Sequence, residues 1–76
     1  MDLKAEIKDR VAQMLEIAPE EIGDDDLFTE HGMDSFIAMQ LVLELESEYN
    51  ITISDELITE LKSVNDTVSL VNRLKN

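Results

Sequence analysis

Cysteine and tryptophan are absent from this 76-residue sequence, which contains only one proline, two glycines and one histidine. Without cysteine the chain has no disulfide, no thiolate metal site and no thiol nucleophile of its own. No apolar run approaches the roughly 20 residues of a membrane-spanning helix, and the N-terminus lacks the basic start and apolar stretch of a secretory signal. We therefore expect a cytoplasmic protein that does not insert into membranes.

Basic residues are also scarce. The sequence contains six lysines and arginines against eighteen aspartates and glutamates, which gives a net charge of −12 at pH 7. No basic residue lies between Val11 and Leu61, a stretch that contains fourteen of the acids. Binding to nucleic acid requires clustered Lys and Arg, so nucleic acid is not an expected partner. This one-signed field would instead attract a protein with a basic patch.

The hydrophobic periodicity predicts an all-α fold. Asp2 is placed to cap a first helix over residues 3–16, which Pro19 prevents from continuing much further. Residues 17–34 do not alternate like a strand and are too broken for one helix, so a long loop is predicted, with a brief helical turn at Pro19–Ile22. Four apolar residues are expected to pin this loop onto the helices: Ile17, Ile22, Leu27 and Phe28.

Three more helices complete the predicted bundle of three longer helices and one short third helix. The second helix begins at 34 or 35 and runs to 49, the short third covers 55–61, and the last covers 64–74, with an extended linker at 50–53. Side chains are placed to cap these helices: Asp34, Ser54 and Ser63. The last helix is expected to bury Val64, Val68, Val71 and Leu74.

The second helix is too apolar to bury all its hydrophobic residues on one face. The expected core set is Ala38, Leu41, Val42, Leu45 and Tyr49. A second apolar stripe is formed at i, i+3 and i+7 by Phe36, Met39 and Leu43. Exposed apolar stripes are typical of partner-binding surfaces. Glu44, Glu46 and Glu48 could also form a recognition edge along this helix, with only some of the three facing a partner.

The segment Gly32-Met33-Asp34-Ser35-Phe36 lies where the acidic loop meets the second helix. Ser35 would stand at the first helical turn, where unpaired N–H groups and the helix dipole favour an anion such as a phosphate ester. Asp34 can cap the helix, so Ser35 is not needed for that role. Gly32 supplies a turn with unrestricted φ, and Met33 is expected either in the core or on the contact surface.

These five residues, with Phe28 upstream and Leu41–Glu46 downstream, resemble the phosphopantetheine attachment site of acyl and peptidyl carrier proteins. The resemblance runs from about Leu3 to Leu74 and implies one carrier domain over residues 1–76 with the acyl-carrier four-helix bundle. It implies that a phosphopantetheinyl transferase attaches 4′-phosphopantetheine from coenzyme A to Ser35. The thiol of this arm would then hold an acyl or aminoacyl group as a thioester.

The resemblance also implies roles for other residues and for partners. Asp34 would assist arm transfer by helping to position the metal and the serine in the transferase. The protein would catalyse nothing itself and would act as a free-standing monomer. The partners would be a loading ligase and synthase enzymes of fatty-acid, polyketide or related biosynthesis. These enzymes would use basic patches of their own to dock on a surface of this chain formed by Phe36, Met39, Leu43, Glu44 and Glu48.

Two features leave the cargo open between acyl and aminoacyl groups. Many fatty-acid carriers have Leu and then an acid after the serine, whereas this chain has Phe36 and Ile37. A Phe at this position resembles D-alanyl carriers and some aminoacyl or peptidyl carriers. The preceding Gly-Met-Asp-Ser is more similar to ordinary acyl carriers. Acyl loading is the first hypothesis, and loading by an adenylation enzyme is the alternative.

Other interpretations of the sequence are a catalytic pair, a calcium loop and a non-carrier interaction module. His31 could pair with Ser35 as in a hydrolase, but such a pair needs a third, orienting group and an oxyanion site. A spacing of four residues across a loop–helix junction does not ensure that geometry, so a solvated loop histidine is expected. Asp24-Asp25-Asp26 does not match a calcium loop, because the sixth and twelfth positions are Thr29 and Ser35. No metal-ligand set is therefore predicted, and loose binding of divalent cations that relieves charge crowding stays open. A non-carrier interaction module using the apolar stripe of the second helix remains as a rival class.

Overall fold

The computed structural model describes residues 2–75, a range that contains four α-helices, two 3-10 turns and no strand. The helices are α1 (Leu3–Leu15), α2 (Ser35–Tyr49), α3 (Asp55–Ile58) and α4 (Val64–Leu74). The 3-10 turns lie in the loop between α1 and α2, at Pro19–Glu21 and Phe28–His31. The predicted all-α fold with a short third helix and a long first loop is therefore confirmed. The second 3-10 turn was not predicted.

Local side chains explain where the long helices begin and end. The Asp2 carboxylate accepts the N–H of Ala5 at 2.8 Å, and the Ser63 hydroxyl accepts the N–H of Asp66 at 3.1 Å, so both predicted caps are confirmed. At their C-terminal ends, α1 and α2 are each followed by one residue in the left-handed conformation: Glu16 (φ 59°) and Asn50 (φ 54°). This conformation terminates a helix and turns the chain away from its axis.

The third helix is shorter than predicted. It ends at Ile58 rather than Leu61, and Ser54 occupies the N-cap position without a side-chain capping hydrogen bond. The Leu61 N–H donates to the Ile58 carbonyl at 3.1 Å, which is a three-residue turn rather than an α-helical turn. Ile58 and Thr59 are β-branched and favour helix less, and the tighter turn lets Leu61 reach the core.

One hydrophobic core joins α1, α2 and α4, and α1 packs against both of the others. Its fully buried side chains include Ile7 and Val11 of α1, Leu41 and Leu45 of α2, and Val64 and Val71 of α4. Burial of such a side chain stabilises the fold by about 1.5–3 kcal/mol. The predicted core set of α2 is confirmed for Leu41, Val42 and Leu45, whereas Ala38 and Tyr49 are only partly buried.

The buried face of α4 is rotated relative to the prediction. Val68 and Leu74 are only partly buried, and Thr67 and Leu70 take the places that were expected for them. Thr67 was overlooked because it is polar. Its hydroxyl donates to the Ser63 carbonyl at 2.9 Å, which satisfies the buried group and removes most of the cost of burying it.

The long first loop is ordered by apolar side chains, as expected, but not by all four of those predicted. Ile22 and Phe28 are each 1% exposed, and Ile17 is partly buried against the core. Leu27 is 46% exposed, so the expectation that it pins the loop is wrong. The 3-10 turn that begins at Phe28 directs that ring inward and leaves its neighbour Leu27 at the surface.

Candidate functional site

Ser35 is the first residue of α2, and its hydroxyl has no hydrogen-bond partner among residues 2–75. Asp34 precedes it with extended backbone and accepts the N–H of Ile37 through its carboxylate at 2.9 Å. The prediction that Asp34 caps the helix and relieves Ser35 of this role is confirmed. Ser35 therefore presents an exposed hydroxyl at the positive end of the α2 dipole.

Gly32 turns the chain from the second 3-10 turn into this helix. Its φ is +95°, in the left-handed region, and its N–H donates to the Thr29 carbonyl at 3.3 Å. A side chain at position 32 would meet no atom within 4 Å, so the requirement for glycine comes from the backbone conformation and not from space. The predicted turn is confirmed.

An apolar cleft of about 570 Å³ opens beside Ser35. One side is formed by α2 and its cap, and the other by the loop and by the turn that follows α3. The lining residues are Leu27, Phe28, Thr29, Met33, Asp34, Ser35, Ala38, Leu61 and Lys62. Met33 is 9% exposed, so of the two predicted positions, core or contact surface, it occupies the core. Leu61 and Lys62 were not among the predicted site residues, because the sequence does not show that the segment after α3 lies against the loop, where the Phe28 N–H donates to the Lys62 carbonyl.

The predicted apolar stripe of α2 is exposed. Phe36 is 71% exposed, Leu43 61% and Met39 45%, and none of them belongs to the core. Ile37 is different, because it is partly buried against the core and does not enlarge the stripe. The surface next to Ser35 is therefore apolar along one line of α2, with Phe36 adjoining the serine.

The two acids expected to form a recognition edge are held by an arginine of α1. Arg10 donates from Nη1 to Glu44 at 2.6 Å and from Nη2 to Glu48 at 3.3 Å. The hydrogen bond to Glu44 raises the pKa of the Arg10 guanidinium above its ordinary value. Glu46 has a different role, since its carboxylate accepts the N–H of Ile53 at 2.8 Å and supports the linker after α2.

The three consecutive aspartates of the loop contact different partners. Asp24 forms ion pairs with Lys8 at 2.6 Å and with Lys4 at 3.2 Å. The hydrogen bond from Lys8, followed by the one from Lys4, holds the pKa of the Asp24 carboxyl below its usual range. Asp25 accepts the side-chain amide of Asn65 at 2.9 Å, so the loop is tied to α1 and α4. Within residues 2–75, no group of three or more His, Asp or Glu side chains has a metal-binding arrangement.

The expectation that His31 is a solvated loop residue is wrong. Its Nε2 lies 3.0 Å from the Asp26 carboxylate, and its side chain is only 22% exposed. Asp26 also accepts the Gly23 N–H at 2.8 Å. The pKa of the Asp26 carboxyl is lowered mainly by this hydrogen bond and to a smaller extent by the one from His31. The 3-10 turn, which ends at His31, brings the ring back towards Asp26. His31 therefore braces the loop and is not recorded in contact with Ser35.

The fold is that of a known family of proteins. A family model described as the phosphopantetheine attachment site matches residues 5–71. The chain therefore belongs to the phosphopantetheine-attachment family of carrier proteins. Members of this family carry 4′-phosphopantetheine covalently and are not themselves catalytic, so a hydrolase built on Ser35 and His31 is excluded.

Individual relatives include both acyl and peptidyl carriers. The chain is 36% identical over 67 residues to an acyl carrier protein of Wolinella succinogenes, covering 87% of this chain and 88% of that protein. It is 37% identical over 70 residues to a non-reducing polyketide synthase of Emericella nidulans, but spans only 3% of that protein's length. A free-standing peptidyl carrier protein of Acinetobacter baumannii is similar in structure, with a TM-score of 0.80, 28% identity and coverage of 92% of this chain and 89% of that one.

The residues around Ser35 fit the prosthetic group of this family. The hydroxyl is exposed and unpaired among the described residues, and the mouth of the cleft leaves room for a flexible arm. When bound, the group supplies the thiol on which a cargo is carried as a thioester. Ser35 would provide the anchoring hydroxyl for this group, and the positive end of α2 and the cleft would lie beside it. None of the helices found in residues 2–75 combines the length and apolarity needed to span a membrane.

Proposed function

We propose that Ser35 is the attachment residue and that residues 1–76 act as a free-standing acyl carrier, a monomer in the cytoplasm where coenzyme A supplies the arm. Its cargo would be acyl intermediates of fatty-acid, polyketide or related biosynthesis. The observation that carries this proposal is the exposed Ser35 hydroxyl at the N-terminus of α2, in the only Asp-Ser step of the sequence. Asp34, which caps α2 beside this serine, would assist the transferase during attachment.

The partners would bind along α2. A phosphopantetheinyl transferase, a loading ligase and downstream synthase enzymes would place apolar residues against Phe36, Met39 and Leu43. Their basic patches would meet Glu44 and Glu48, whose side chains are 45% and 51% exposed although Arg10 contacts both. Exposed apolar side chains beside acids suit a docking surface in which contact gives affinity and charge gives orientation.

An acyl cargo is supported by the cleft beside Ser35. The cleft contains Leu27, Phe28, Met33 and Leu61 among its lining, and such a surface favours an aliphatic chain over a charged amino acid. The alternative is an aminoacyl or peptidyl cargo loaded by an adenylation enzyme. It is supported by Phe36 after the serine and by the similarity to a free-standing peptidyl carrier.

Mass spectrometry of the intact protein tests the attachment. Co-expression with a broad-range phosphopantetheinyl transferase should add one phosphopantetheinyl group to the wild-type chain and none to Ser35→Ala. Ser47→Ala is the matched control, because Ser47 is also an exposed serine of α2, and it should be modified like the wild type. No mass gain in folded wild-type protein with several transferases would refute the proposal.

Loading assays then separate the two cargo classes. Holo protein would be offered fatty acids with an acyl ligase and amino acids with adenylation enzymes, and thioester formation would be followed by intact mass. We expect loading with acyl groups. Loading with amino acids alone would establish the alternative and contradict the acyl proposal.

A further inference from the structure

Lys62 differs from the other basic residues of the chain in having no recorded partner. Among residues 2–75, the other five basic side chains each have one: Lys4 and Lys8 contact Asp24, Arg10 contacts Glu44 and Glu48, Arg73 contacts Glu60, and Lys75 lies 5.6 Å from the centre of the Tyr49 ring. An unpaired ammonium is unexpected in a chain of net charge −12. Its position therefore needs an explanation.

The backbone holds Lys62 at the cleft that contains Ser35. Its carbonyl accepts the N–H of Phe28 at 2.8 Å, which joins the turn after α3 to the loop. Its neighbours Leu61 and Ser63 are 8% and 4% exposed, so the main chain on both sides is anchored in the core. Lys62 is exposed and is one of the residues that line the cleft, and its ammonium is carried on a flexible stem.

A phosphodiester on Ser35 would add a negative charge at a strongly acidic place. The adjacent Asp34 carboxylate repels it, and the cap bond to Ile37 already uses one of the N–H groups at this helix end. Lys62 is the one basic residue among those that line the cleft. An ammonium is attracted to a phosphate oxygen as a point charge, and the attraction is stronger beside low-dielectric apolar walls than in bulk water.

We propose that Lys62 binds the phosphodiester of the arm on Ser35. The contact would direct the arm across the mouth of the cleft towards Leu61 and away from the stripe of Phe36, Met39 and Leu43. This inference rests on the proposed attachment at Ser35. Glu60 and Asp66 border Lys62 on its other side, in a separate polar groove, and neither is recorded in an ion pair with it.

The test compares apo and holo protein by NMR, using full-length chain whose single modification has been verified by mass. In the wild type, the amide signals of Leu61, Lys62 and Ser63 should shift on attachment of the unloaded arm. Most of that shift should be lost in Lys62→Gln and retained in Lys62→Arg. The shift should also shrink as salt approaches about 1 M, where the Debye length is about 3 Å. Because the unloaded arm has no carboxylate, such a response reports the phosphodiester and not a cargo.

Lys75→Gln is the matched control, since it removes the same charge at a residue that does not line the cleft and lies beside the Tyr49 ring. It should leave the apo-to-holo shifts unchanged. Lys62 makes no recorded side-chain contact, so its variants should fold, which circular dichroism would verify. Holo protein with no shift at these amides, or with the same shift in Lys62→Gln, would overturn the proposal while leaving attachment at Ser35 intact. A chain that takes up no arm would overturn both.

Discussion

At the scale of single residues, Asp34 combines a structural contact with a proposed role in arm transfer. Its carboxylate caps α2 through the Ile37 N–H, and its neighbour Ser35 remains exposed and unpaired within the described residues. Asparagine caps helices about as well as aspartate but has no charge, whereas alanine has no charge and cannot cap. The two substitutions therefore separate the structural contribution of Asp34 from the contribution of its charge.

We predict that Asp34→Ala lowers the free energy of unfolding by about 1 kcal/mol, and that Asp34→Asn leaves it nearly unchanged. Both variants should slow transfer of the arm to Ser35, because both lack the carboxylate. Urea unfolding followed by circular dichroism gives the stability, and the initial rate of mass gain gives the transfer. An Asp34→Asn variant that is modified at the wild-type rate would show that the transferase does not use this carboxylate.

At the scale of helices, α1 and α2 are joined by polar contacts at their surface as well as by the core. The Tyr49 hydroxyl of α2 donates to the Glu6 carboxylate of α1 at 3.0 Å, and Arg10 of α1 reaches Glu44 and Glu48 of α2. Burial, and then the hydrogen bond to Glu6, raise the pKa of Tyr49 to about 12. The neutral phenol is thus the form that the packed helices favour.

The sign of this shift gives a pH prediction. The stabilisation from neutral Tyr49 is complete below the unfolded pKa of about 10 and is lost as the pH rises towards 12. We expect the melting temperature to fall more steeply between pH 10 and 12 in the wild type than in Tyr49→Phe. Lysine titrates in both proteins, so the difference isolates the phenol.

Ultraviolet absorbance of tyrosinate provides a direct measurement, because Tyr49 is the only tyrosine of the chain. Folded protein should ionise near pH 12, and Glu6→Gln should lower the midpoint by removing the adjacent carboxylate. Ionisation of the folded wild type near pH 10 would contradict the assigned contact between the two helices.

At the scale of the whole molecule, the charge distribution controls the approach of partners more than it controls the fold. The basic residues of the termini pair mostly within the molecule, while many acids of the middle stretch remain at the surface. Electrostatic steering of this kind raises association rates by about 10- to 1000-fold and weakens with salt. The apolar stripe of α2 contributes contact area that salt does not screen.

We predict that association with a phosphopantetheinyl transferase slows on the order of tenfold between low and high salt, measured by stopped flow. Glu44→Gln/Glu48→Gln should reduce both the low-salt rate and its salt dependence. Glu16→Gln/Glu20→Gln is the control with the same change in charge, because both side chains are exposed and lie outside α2. Association that does not respond to salt would show that Phe36, Met39 and Leu43 direct docking instead.

Features that depend on neighbouring residues were predictable from the amino-acid order alone. Helical periodicity, the caps at Asp2, Asp34 and Ser63 and the turn at Gly32 all involve atoms within a few residues of one another. The exposure of Phe36, Met39 and Leu43 followed from counting, because a helix with too many apolar residues cannot bury them all on one face.

Other features depended on contacts between distant segments, and these only the packed molecule decided. The burial of Leu61, which follows the end of α3 at Ile58, and the burial of Thr67 on α4 both depend on how the helices pack against one another. Likewise, Arg10 lies 34 positions before the Glu44 it contacts, and Lys62 reaches the serine's cleft through a bond to Phe28. No local pattern encodes such pairs, because their energy arises only when the helices have packed and water has been excluded between them.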